Sequence, residues 1–296
     1  MTPRALYAGM MPDISLASAV HAAAQRLADA GVSDPLVDAE LLAGHALSLR
    51  RGEVQAALIR GDSVREEEAA VLETLVARRA TREPLQHITG TAPFRHLELA
   101  VGPGVFVPRP ETETVVQYAI DALLGSPLSA PIGIDLGTGS GAIALAMATE
   151  VPHSRIFATE LSPDAYPWAA RNTAGVANLT LVNDDLAHAF SELDGTASVV
   201  ISNPPYVPDA AIPRDPEVRL FDPSMALYGG EDGLDVVRVL SVRALELLHP
   251  GGLLVIEHGE LQGEEIRSIL TRDGWRAAAT HRDLTLRDRA TTALRP

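Results

Sequence analysis

The most constraining feature of this sequence is the regular alternation of short apolar runs with amphipathic stretches from residue 132 onward. Such alternation predicts an α/β domain in which a mostly parallel sheet carries helices on both faces. The last two predicted strands have no helix between them, so they should form a hairpin that adds an antiparallel strand. The predicted strands are 132–136, 155–159, 178–182, 197–201, 252–257, 275–281 and 290–295, and the predicted helices are 141–149, 163–174, 233–248 and 261–272.

A helical region precedes this domain. Residues 1–83 carry apolar residues at helical spacing, and Ser15, Asp34-Pro35 and Ser63 are placed to begin helices. This pattern predicts a small all-helical domain. The residues expected to face its interior include Leu16, Val20, Leu27, Leu36, Leu42, Ala70, Val71, Leu75 and Val76.

Residues 84–109 should form a β-hairpin linker between the two domains. Gln86 to Gly90 and Leu97 to Val101 each have the composition of a short strand, and Gly- and Pro-rich breakers follow them. Pro110 then suits the first turn of a helix that runs to about Leu124. The second domain is therefore expected to span residues 110–296.

Charge and composition limit the classes of function. The formal net charge is −15, which does not favour tight, non-specific binding to a nucleic-acid duplex. The chain has no cysteine, and its histidines lack metal-binding spacing, so we predict neither a disulfide nor a metal site. No apolar run reaches the ~20 residues that cross a bilayer. Met1 to Asp13 lacks the pattern of a secretory signal, so we expect a cytoplasmic protein.

A glycine-rich run follows the first predicted strand of the α/β domain. Ile132 to Leu136 resembles a buried strand, and Gly137-Thr138-Gly139-Ser140-Gly141 leads directly into a helix. Glycines allow a tight turn and the close approach of backbone to a ligand, while a helix N-terminus offers it free N–H groups. The GxGxG spacing differs from the GxGxxG fingerprint of dinucleotide-binding proteins, so that class is not indicated.

Acidic residues stand at the ends of three successive predicted strands. Asp135 suits a ligand with an ammonium group, Glu160 suits a ribose diol, and Asp185 or its neighbour Asp184 is placed to approach an adenine. Singly, each can instead be a turn former or a solvated strand end. Because the carboxyl ends of parallel strands meet at one edge of a sheet, together they predict a nucleoside ligand.

The run Asn203-Pro204-Pro205-Tyr206 predicts a stiff shelf at the end of another strand. Two prolines fix two φ angles, and a residue before proline is pushed out of the helical region. The Asn203 side-chain carbonyl, the Pro204 backbone carbonyl and an aromatic ring would suit a planar group with an NH2, which has two donors. The alternative is a proline-stiffened turn with a buried tyrosine. The following segment, Val207 to Glu231, is predicted to be a long functional loop.

These motifs together resemble a known enzyme family. Asp135 to Gly141 followed by Asn203 to Tyr206 is similar to S-adenosylmethionine-dependent methyltransferases that act on nitrogen. The finer resemblance is to the HemK/PrmC family, the glutamine methyltransferases of peptide chain release factors. Further runs resemble that family in order and spacing, and the resemblance covers nearly the whole chain, most weakly before residue 80. These runs are Glu83 to Gly90, Val107 to Glu113 and Gly251 to Gly259.

The resemblance implies a seven-stranded Rossmann-like methyltransferase domain, with residues 1–83 as a substrate-recognition domain. It implies S-adenosylmethionine as the cofactor, held against Gly137, Thr138, Gly139, Ser140, Gly141 and Glu160, with Asp185 and Leu186 beside the adenine. Asn203 would lie between cofactor and substrate, and Asn203 to Tyr206 would clamp the target glutamine. The implied catalytic residues are Asn203, Pro204 and Tyr206.

The implied substrate is the glutamine of the Gly-Gly-Gln loop in class I release factors, methylated at N5 by an enzyme expected to be monomeric. A glutamine methyltransferase of a ribosomal protein would use the same chemistry. A nucleic-acid adenine N6-methyltransferase would share the core and flip a base against Tyr206, but the acidic composition does not favour it. A non-catalytic ligand-binding protein is a further alternative, since fold alone does not fix function.

Overall fold

The structure is a computed structural model that describes residues 14–296, so Met1 to Asp13, considered above for a secretory signal, lie outside it. The chain divides into two compact units between Thr89 and Gly90. The hairpin predicted as a linker lies at the start of the second unit. Within the described residues, no helix has the length and apolar character needed to cross a membrane.

The first unit is a helical bundle around one apolar core. Its residues Ile14–Ser15 (β1) and Ser63–Val64 (β2) form a short antiparallel pair. Leu27, Leu42, Val54 and Val76 are completely buried in the core. The helices are α1 (Leu16–Asp29), α2 (Pro35–Leu47), α3 (Arg51–Arg60), α4 (Glu66–Ala80) and α5 (Leu85–Thr89).

Three local predictions in this unit are wrong. Ser63 pairs with Ser15 rather than opening a helix, and α4 begins after Arg65, whose N–H donates to the Glu68 carboxylate at 3.0 Å. Ala70 and Val71 are exposed because the buried stripe of α4 runs through Leu72, Leu75, Val76 and Arg79. Leu36, in the first turn of α2, is also exposed. A charged residue such as Arg79 is not expected on a buried helix face, so this stripe is difficult to recognise in the sequence. Arg79 can be buried because its guanidinium pairs with Asp38 at 2.7 Å. Residues 86–90 form no strand, since Leu85–Thr89 is α5.

The second unit opens with a hairpin of β3 (Thr91–Phe94) and β4 (Leu97–Ala100), followed by α6 (Pro110–Leu124). Alternating strands and helices then build the sheet, as predicted. They are β5 (Ile132–Leu136), α7 (Ala142–Glu150), β6 (Arg155–Thr159), α8 (Tyr166–Thr173), β7 (Leu179–Val182), β8 (Ala197–Ser202), α9 (Pro216–Phe221), α10 (Ser224–Leu227), α11 (Asp235–Leu247), β9 (Leu248–Glu257), α12 (Gly263–Arg272), β10 (Arg276–Arg282) and β11 (Asp288–Leu294).

The sheet has seven strands in the order β10-β11-β9-β8-β5-β6-β7. Strands β9, β8, β5, β6 and β7 are mutually parallel, and β11 runs antiparallel to both of its neighbours. One apolar core packs under α6 and α7, and a second packs under α11 and α12, so both faces of the sheet are covered. The α/β fold with an antiparallel C-terminal hairpin is therefore confirmed.

The strand order reverses direction beside β5. The chain leaves β5 toward β6 and β7, then returns to place β8 on the other side of β5. A reversal of this kind opens a crevice at the carboxyl ends of the strands, which is where ligands bind in open α/β sheets. The fold thus fixes where a site should lie.

Candidate active site

A cavity of about 610 Å³ lies at the carboxyl ends of the parallel strands, within the second unit. It is bounded by the loops that follow β5, β6, β7 and β8, by the end of β9 and by the start of α6. The glycine-rich run and the Asn-Pro-Pro-Tyr run, separated by more than sixty residues, both line it. The strand reversal therefore brings the two predicted motifs to one place.

Strand register places four cavity-lining residues in one row. The register pairs Leu136 with Thr159, Asp135 with Ile201 and Ser202 with Ile256. Extended by one or two residues toward the carboxyl ends, it aligns four residues on the adjacent strands β6, β5, β8 and β9. These residues are Glu160, Gly137, Asn203 and Glu257. Adjacent strands are about 4.8 Å apart, so the row is on the order of 14 Å long. All four residues line the cavity.

The glycine-rich turn exposes backbone to the cavity. Gly137 and Gly139 have φ angles of 79° and 59°, and a Cβ built on either would meet nothing within 4 Å. The turn thus needs glycine for its backbone conformation. A ligand can approach the peptide groups there without meeting a side chain.

Glu160 lies at the end of β6 and is 8% exposed. Its Oε2 accepts a hydrogen bond from Gly139 N at 2.7 Å, and its Oε1 accepts one from Ser162 N at 2.7 Å. These bonds fix the carboxylate against the glycine turn. Because each carboxylate oxygen can accept more than one hydrogen bond, Glu160 can still accept from a diol in the cavity.

The residues after β7 form the far end of the cavity, where Asp184, Asp185 and Leu186 all line it. Asp184 is fixed by two hydrogen bonds: its backbone carbonyl accepts from Thr159 Oγ1 at 2.8 Å, and its carboxylate accepts from Asp185 N at 2.8 Å. The Asp185 carboxylate accepts from Ala187 N at 2.9 Å. Both aspartates thus remain beside the predicted adenine position.

Asp135 does not line the cavity and is completely buried beneath the glycine turn. Its Oδ2 accepts from Thr138 Oγ1 and from Ala144 N, while Oδ1 has no protein partner among the described residues. Burial raises the pKa of Asp135 to about 7, although its two hydrogen bonds oppose the shift. The hydrogen bonds from Thr138 and Ala144 to Asp135 hold the glycine-rich turn in place.

The Asn-Pro-Pro-Tyr shelf is fixed from both sides. Ser202 Oγ, just before it, donates to Leu136 O at 2.6 Å, which joins the ends of β8 and β5. Gln262 Nε2 donates to Tyr206 O at 2.9 Å. A Cβ on Gly233 would lie 2.3 Å from Tyr206 O, so only glycine fits against the shelf there. The backbone of the shelf therefore has little freedom.

The polar face of the shelf points into the cavity. Pro204 is buried, Asn203 and Tyr206 are half-buried, and all three line the cavity with Pro205. The Asn203 side chain makes no hydrogen bond to another described residue, so it can accept from a ligand. Burial raises the pKa of Tyr206 to about 12, helped by the nearby Glu257 carboxylate, so the phenol stays protonated.

The segment 207–231 contains two short helices, α9 and α10, and is not the uninterrupted loop that we predicted. Val207 N donates to Leu227 O at 2.8 Å, and Gly229 N donates to Val207 O at 3.0 Å, so the segment closes on itself beside the shelf. Its residues Val218, Pro223, Met225, Ala226, Leu227 and Tyr228 line the cavity. The segment is thus a wall of the site.

Comparison with known proteins identifies the family. A model described as the PrmC N-terminal domain matches residues 18–90, and a methyltransferase small domain model matches residues 117–227. The release factor glutamine methyltransferase of Streptomyces coelicolor is 50% identical over 94% of this chain and 97% of its own. This chain belongs to the release factor glutamine methyltransferase family.

Two further proteins are similar to this chain over nearly its whole length. The release factor glutamine methyltransferase of Mycolicibacterium smegmatis is 45% identical over 95% of this chain and 98% of its own. The 4-amino-L-phenylalanine/4-methylamino-L-phenylalanine methyltransferase of Streptomyces pristinaespiralis is 37% identical over 95% of each chain. The HemK/PrmC resemblance deduced from the motifs is therefore confirmed.

Several lining side chains were not predicted as site residues, and among them are Arg109, Thr112, Glu257 and Arg289. Arg109 and Thr112 belong to the Pro-Arg-Pro-Glu-Thr-Glu run, and Glu257 belongs to the run Gly251 to Gly259. Both runs contributed to the family resemblance, but no role was predicted for these three side chains. A charged residue directly after an apolar strand was the available signal for Glu257. Arg289 comes from β11 and had no sequence signal, since only the antiparallel hairpin brings it to the cavity.

Proposed function

We propose that this protein transfers a methyl group from S-adenosylmethionine to the N5 side-chain amide nitrogen of the glutamine in the Gly-Gly-Gln loop of class I release factors. The observation that carries the proposal is the row of Glu160, Gly137 and Asn203 along one cavity edge. It joins a site suited to a nucleoside with a shelf suited to a planar NH2 group. Membership of the release factor glutamine methyltransferase family supports the choice of substrate.

The cofactor site follows from the residues at one end of the row. Glu160 would accept from the ribose hydroxyls, Asp185 and Leu186 would flank the adenine, and the backbone from Gly137 to Gly141 would pack against the cofactor. When bound, S-adenosylmethionine supplies an electrophilic methyl group on a sulfonium. The open Cβ positions at Gly137 and Gly139 support this fit. Asp135 would support the site by holding the turn, through its bonds to Thr138 and Ala144.

The shelf would hold the target amide. Asn203 Oδ1 and Pro204 O would each accept one N–H of the amide, which orients a nitrogen whose lone pair is delocalised. The same acceptors stabilise positive charge as it develops on that nitrogen. Tyr206 would pack on the amide plane. Alignment of the two reacting groups can contribute several kcal/mol, with an upper range of roughly 7–11 kcal/mol.

The first unit would supply substrate recognition. The shelf holds one planar amide, and glutamine side chains are common on protein surfaces, so selectivity must come from other residues. The helical bundle of residues 14–89 has its own core and no predicted catalytic residue. We assign it to binding the release factor, as part of an enzyme that acts as a monomer in the cytoplasm.

Labelling distinguishes this function from the alternatives. The purified protein would be incubated with S-adenosylmethionine tritiated in the methyl group and, separately, with a release factor, ribosomal proteins, DNA and 4-amino-L-phenylalanine. We expect label on the release factor, and mass spectrometry should place it on the Gly-Gly-Gln glutamine. A release-factor variant with that glutamine changed to asparagine is the matched control. Label on another acceptor, and none on the release factor, would show that the proposed substrate is wrong and would identify the labelled acceptor class instead.

A further inference from the structure

Glu257 is the fourth member of the row and has no role in the function described above. It ends β9, directly across from Asn203, and it is 2% exposed although it lines the cavity. Its Oε2 is buried without a hydrogen-bond partner among the described residues. A buried carboxylate is costly unless it is paired, so this one is positioned for a partner that the protein alone does not supply.

The groups that face Glu257 come from two elements and the shelf. Thr112 and Glu111 approach from α6, Arg289 from β11, and Tyr206 from the shelf. The hydroxyl of Thr112 lies near enough to Glu257 to lower the pKa of its carboxyl group, but it makes no hydrogen bond of normal geometry in the described structure. Burial raises the pKa of Glu257 to about 7 and Glu111 adds to the shift, whereas Thr112 and Arg289 oppose it. Glu257 therefore changes its charge near neutral pH.

The proposed reaction develops positive charge and releases a proton at this place. The amide nitrogen forms a bond to the methyl carbon with its lone pair, while the carbon–sulfur bond breaks and its electrons stay on sulfur. The methylated nitrogen then carries two hydrogens and a positive charge. One N–H bond must break, with its electron pair returning to nitrogen. The methylated cation is strongly acidic, so a carboxylate beside it would take this proton readily, and its negative charge would stabilise the cation as it forms.

The other carboxyl groups in the cavity are less suited to accept it. Glu160 lies two strands from Asn203 and has both oxygens bonded to backbone N–H groups. Asp184 and Asp185 stand one strand further away, at the adenine end. Glu111 is half-buried at the start of α6 and is not in the row. Glu257 alone among these carboxylates occupies the position next to Asn203.

We propose that ionised Glu257 is a further catalytic residue, which stabilises the cationic methylated amide and takes one of its two protons on a carboxylate oxygen as that N–H leaves its acceptor on the shelf. The proton leaves to solvent when the product departs. This inference rests on the proposed function, because it concerns the nitrogen held by Asn203 and Pro204. It also explains why a buried carboxylate oxygen without a hydrogen-bond partner among the described residues is kept beside the shelf.

The test compares wild type with Glu257→Gln and Glu257→Asp, in single-turnover methylation of a release factor between pH 5.5 and 9. Wild-type rates should rise with pH and level off at or below pH 7, since a bound sulfonium favours the ionised carboxylate. Glu257→Gln should lose about 10²-fold on the plateau, the range seen when one electrostatic contact to developing charge is removed, and should lose the pH dependence. Glu257→Asp should recover part of the rate and the pH limb.

Two further measurements, of cofactor binding and of unfolding, separate chemistry from structure. Cofactor affinity measured by calorimetry should stay within about threefold in Glu257→Gln, because Glu257 lies at the far end of the row from Glu160. Glu264→Gln, the same charge change on the exposed start of α12, should behave like wild type. The pH dependence of unfolding gives a readout without substrate. Wild type should lose stability relative to Glu257→Gln as pH rises toward 7, which reports the titration of Glu257.

The outcomes separate the two proposals. A wild-type enzyme that labels no release factor contradicts the proposed function before any variant is compared. If wild type is active and Glu257→Gln keeps its rate within threefold, Glu257 is not the proton acceptor. A uniform loss of rate at every pH, with an unchanged profile and lower stability, would make Glu257 a structural partner of Thr112 and Arg289 and would overturn the inference.

Discussion

Arg109 and Asp222 form an ion pair that joins the start of α6 to the segment walling the cavity, with Nη2 donating to Oδ2 at 2.5 Å. The Asp222 side chain is completely buried and its other oxygen has no partner in the described structure. Burial raises the pKa of Asp222 to about 6 even though Arg109 opposes the shift. The guanidinium also lies 4.7 Å from the centre of the Phe106 ring. The wall is therefore tied to the start of α6 by an ion pair whose carboxylate is buried.

Removing the arginine should loosen this wall. Arg109→Met leaves Asp222 buried without its partner, and breaking such a pair typically costs about 3–5 kcal/mol. We expect faster amide exchange across residues 207–231 and roughly tenfold lower kcat/KM. The double variant Arg109→Met/Asp222→Asn removes both charges and should lose less than the sum of the single losses. Additive losses, or unchanged exchange in Arg109→Met, would show that the pair does not hold the segment.

Asn203→Ala should abolish most methyl transfer and leave cofactor binding within a few-fold. The side chain is placed to accept from the substrate nitrogen, and loss of one such electrostatic contact commonly costs about 10²–10³ in rate. Single-turnover rates and calorimetry give the two quantities. Asn178→Ala is a matched control that should keep far more activity, because Asn178 lies outside the cavity lining and donates to Ala148 O and Ser154 O. If the turnover of Asn203→Ala is within tenfold of wild type, Asn203 does not bind the substrate amide as proposed.

Glu160→Gln should weaken cofactor binding by about tenfold or more and change the rate at saturating cofactor much less. A carboxylate on the ribose diol acts equally on ground and transition states, which is uniform binding. Because Glu160 also accepts from Gly139 and Ser162, glutamine is a better test than alanine, since it keeps one acceptor for the backbone. Calorimetry measures the affinity. An unchanged dissociation constant would reduce Glu160 to a support for the glycine turn.

The sequence predicted the sheet and the two motifs because their signals are local. An apolar run, a glycine turn and an X-Pro-Pro sequence each restrict the backbone within a few residues, and the strand order then collects them at one edge. Arg289 was not predicted because only the pairing of β11 with β9 brings it to the cavity. Buried Arg79 was missed because its partner, Asp38, lies far away in the sequence.

Helix signals failed where tertiary contacts compete with local preference. Ser63 has a residue type favoured at helix starts, yet its backbone pairs with Ser15, and Glu68 caps the helix from within. The composition of residues 86–90 favours a strand, but Leu85–Thr89 forms a short helix with Ile88 in the bundle core. Short elements of this kind depend on packing more than on propensity.

Asp135 should make the stability of the second unit depend on pH. Its pKa is about 7 in the folded state and about 4 when unfolded, so the folded state binds the proton more tightly between these values. The free energy of unfolding should therefore fall as pH rises from about 4 to 7. Asp135→Asn removes this contribution, at most roughly 4 kcal/mol. Denaturant melts at pH 5 and 8 check it, and an identical pH dependence in both proteins would contradict it.

The last prediction concerns the first unit. A truncated chain of residues 90–296 keeps both cores of the sheet, so it should fold and bind cofactor with near-wild-type affinity. We expect its kcat/KM for a full release factor to fall strongly, whereas its low rate on an isolated Gly-Gly-Gln loop peptide should match that of the intact enzyme. The reason is that a folded partner is held by additional surface contacts, while the peptide engages only the cavity and its wall. Circular dichroism and calorimetry control for folding and cofactor binding. Equal activity of truncated and intact enzymes on the full release factor would show that residues 14–89 have no part in recognition.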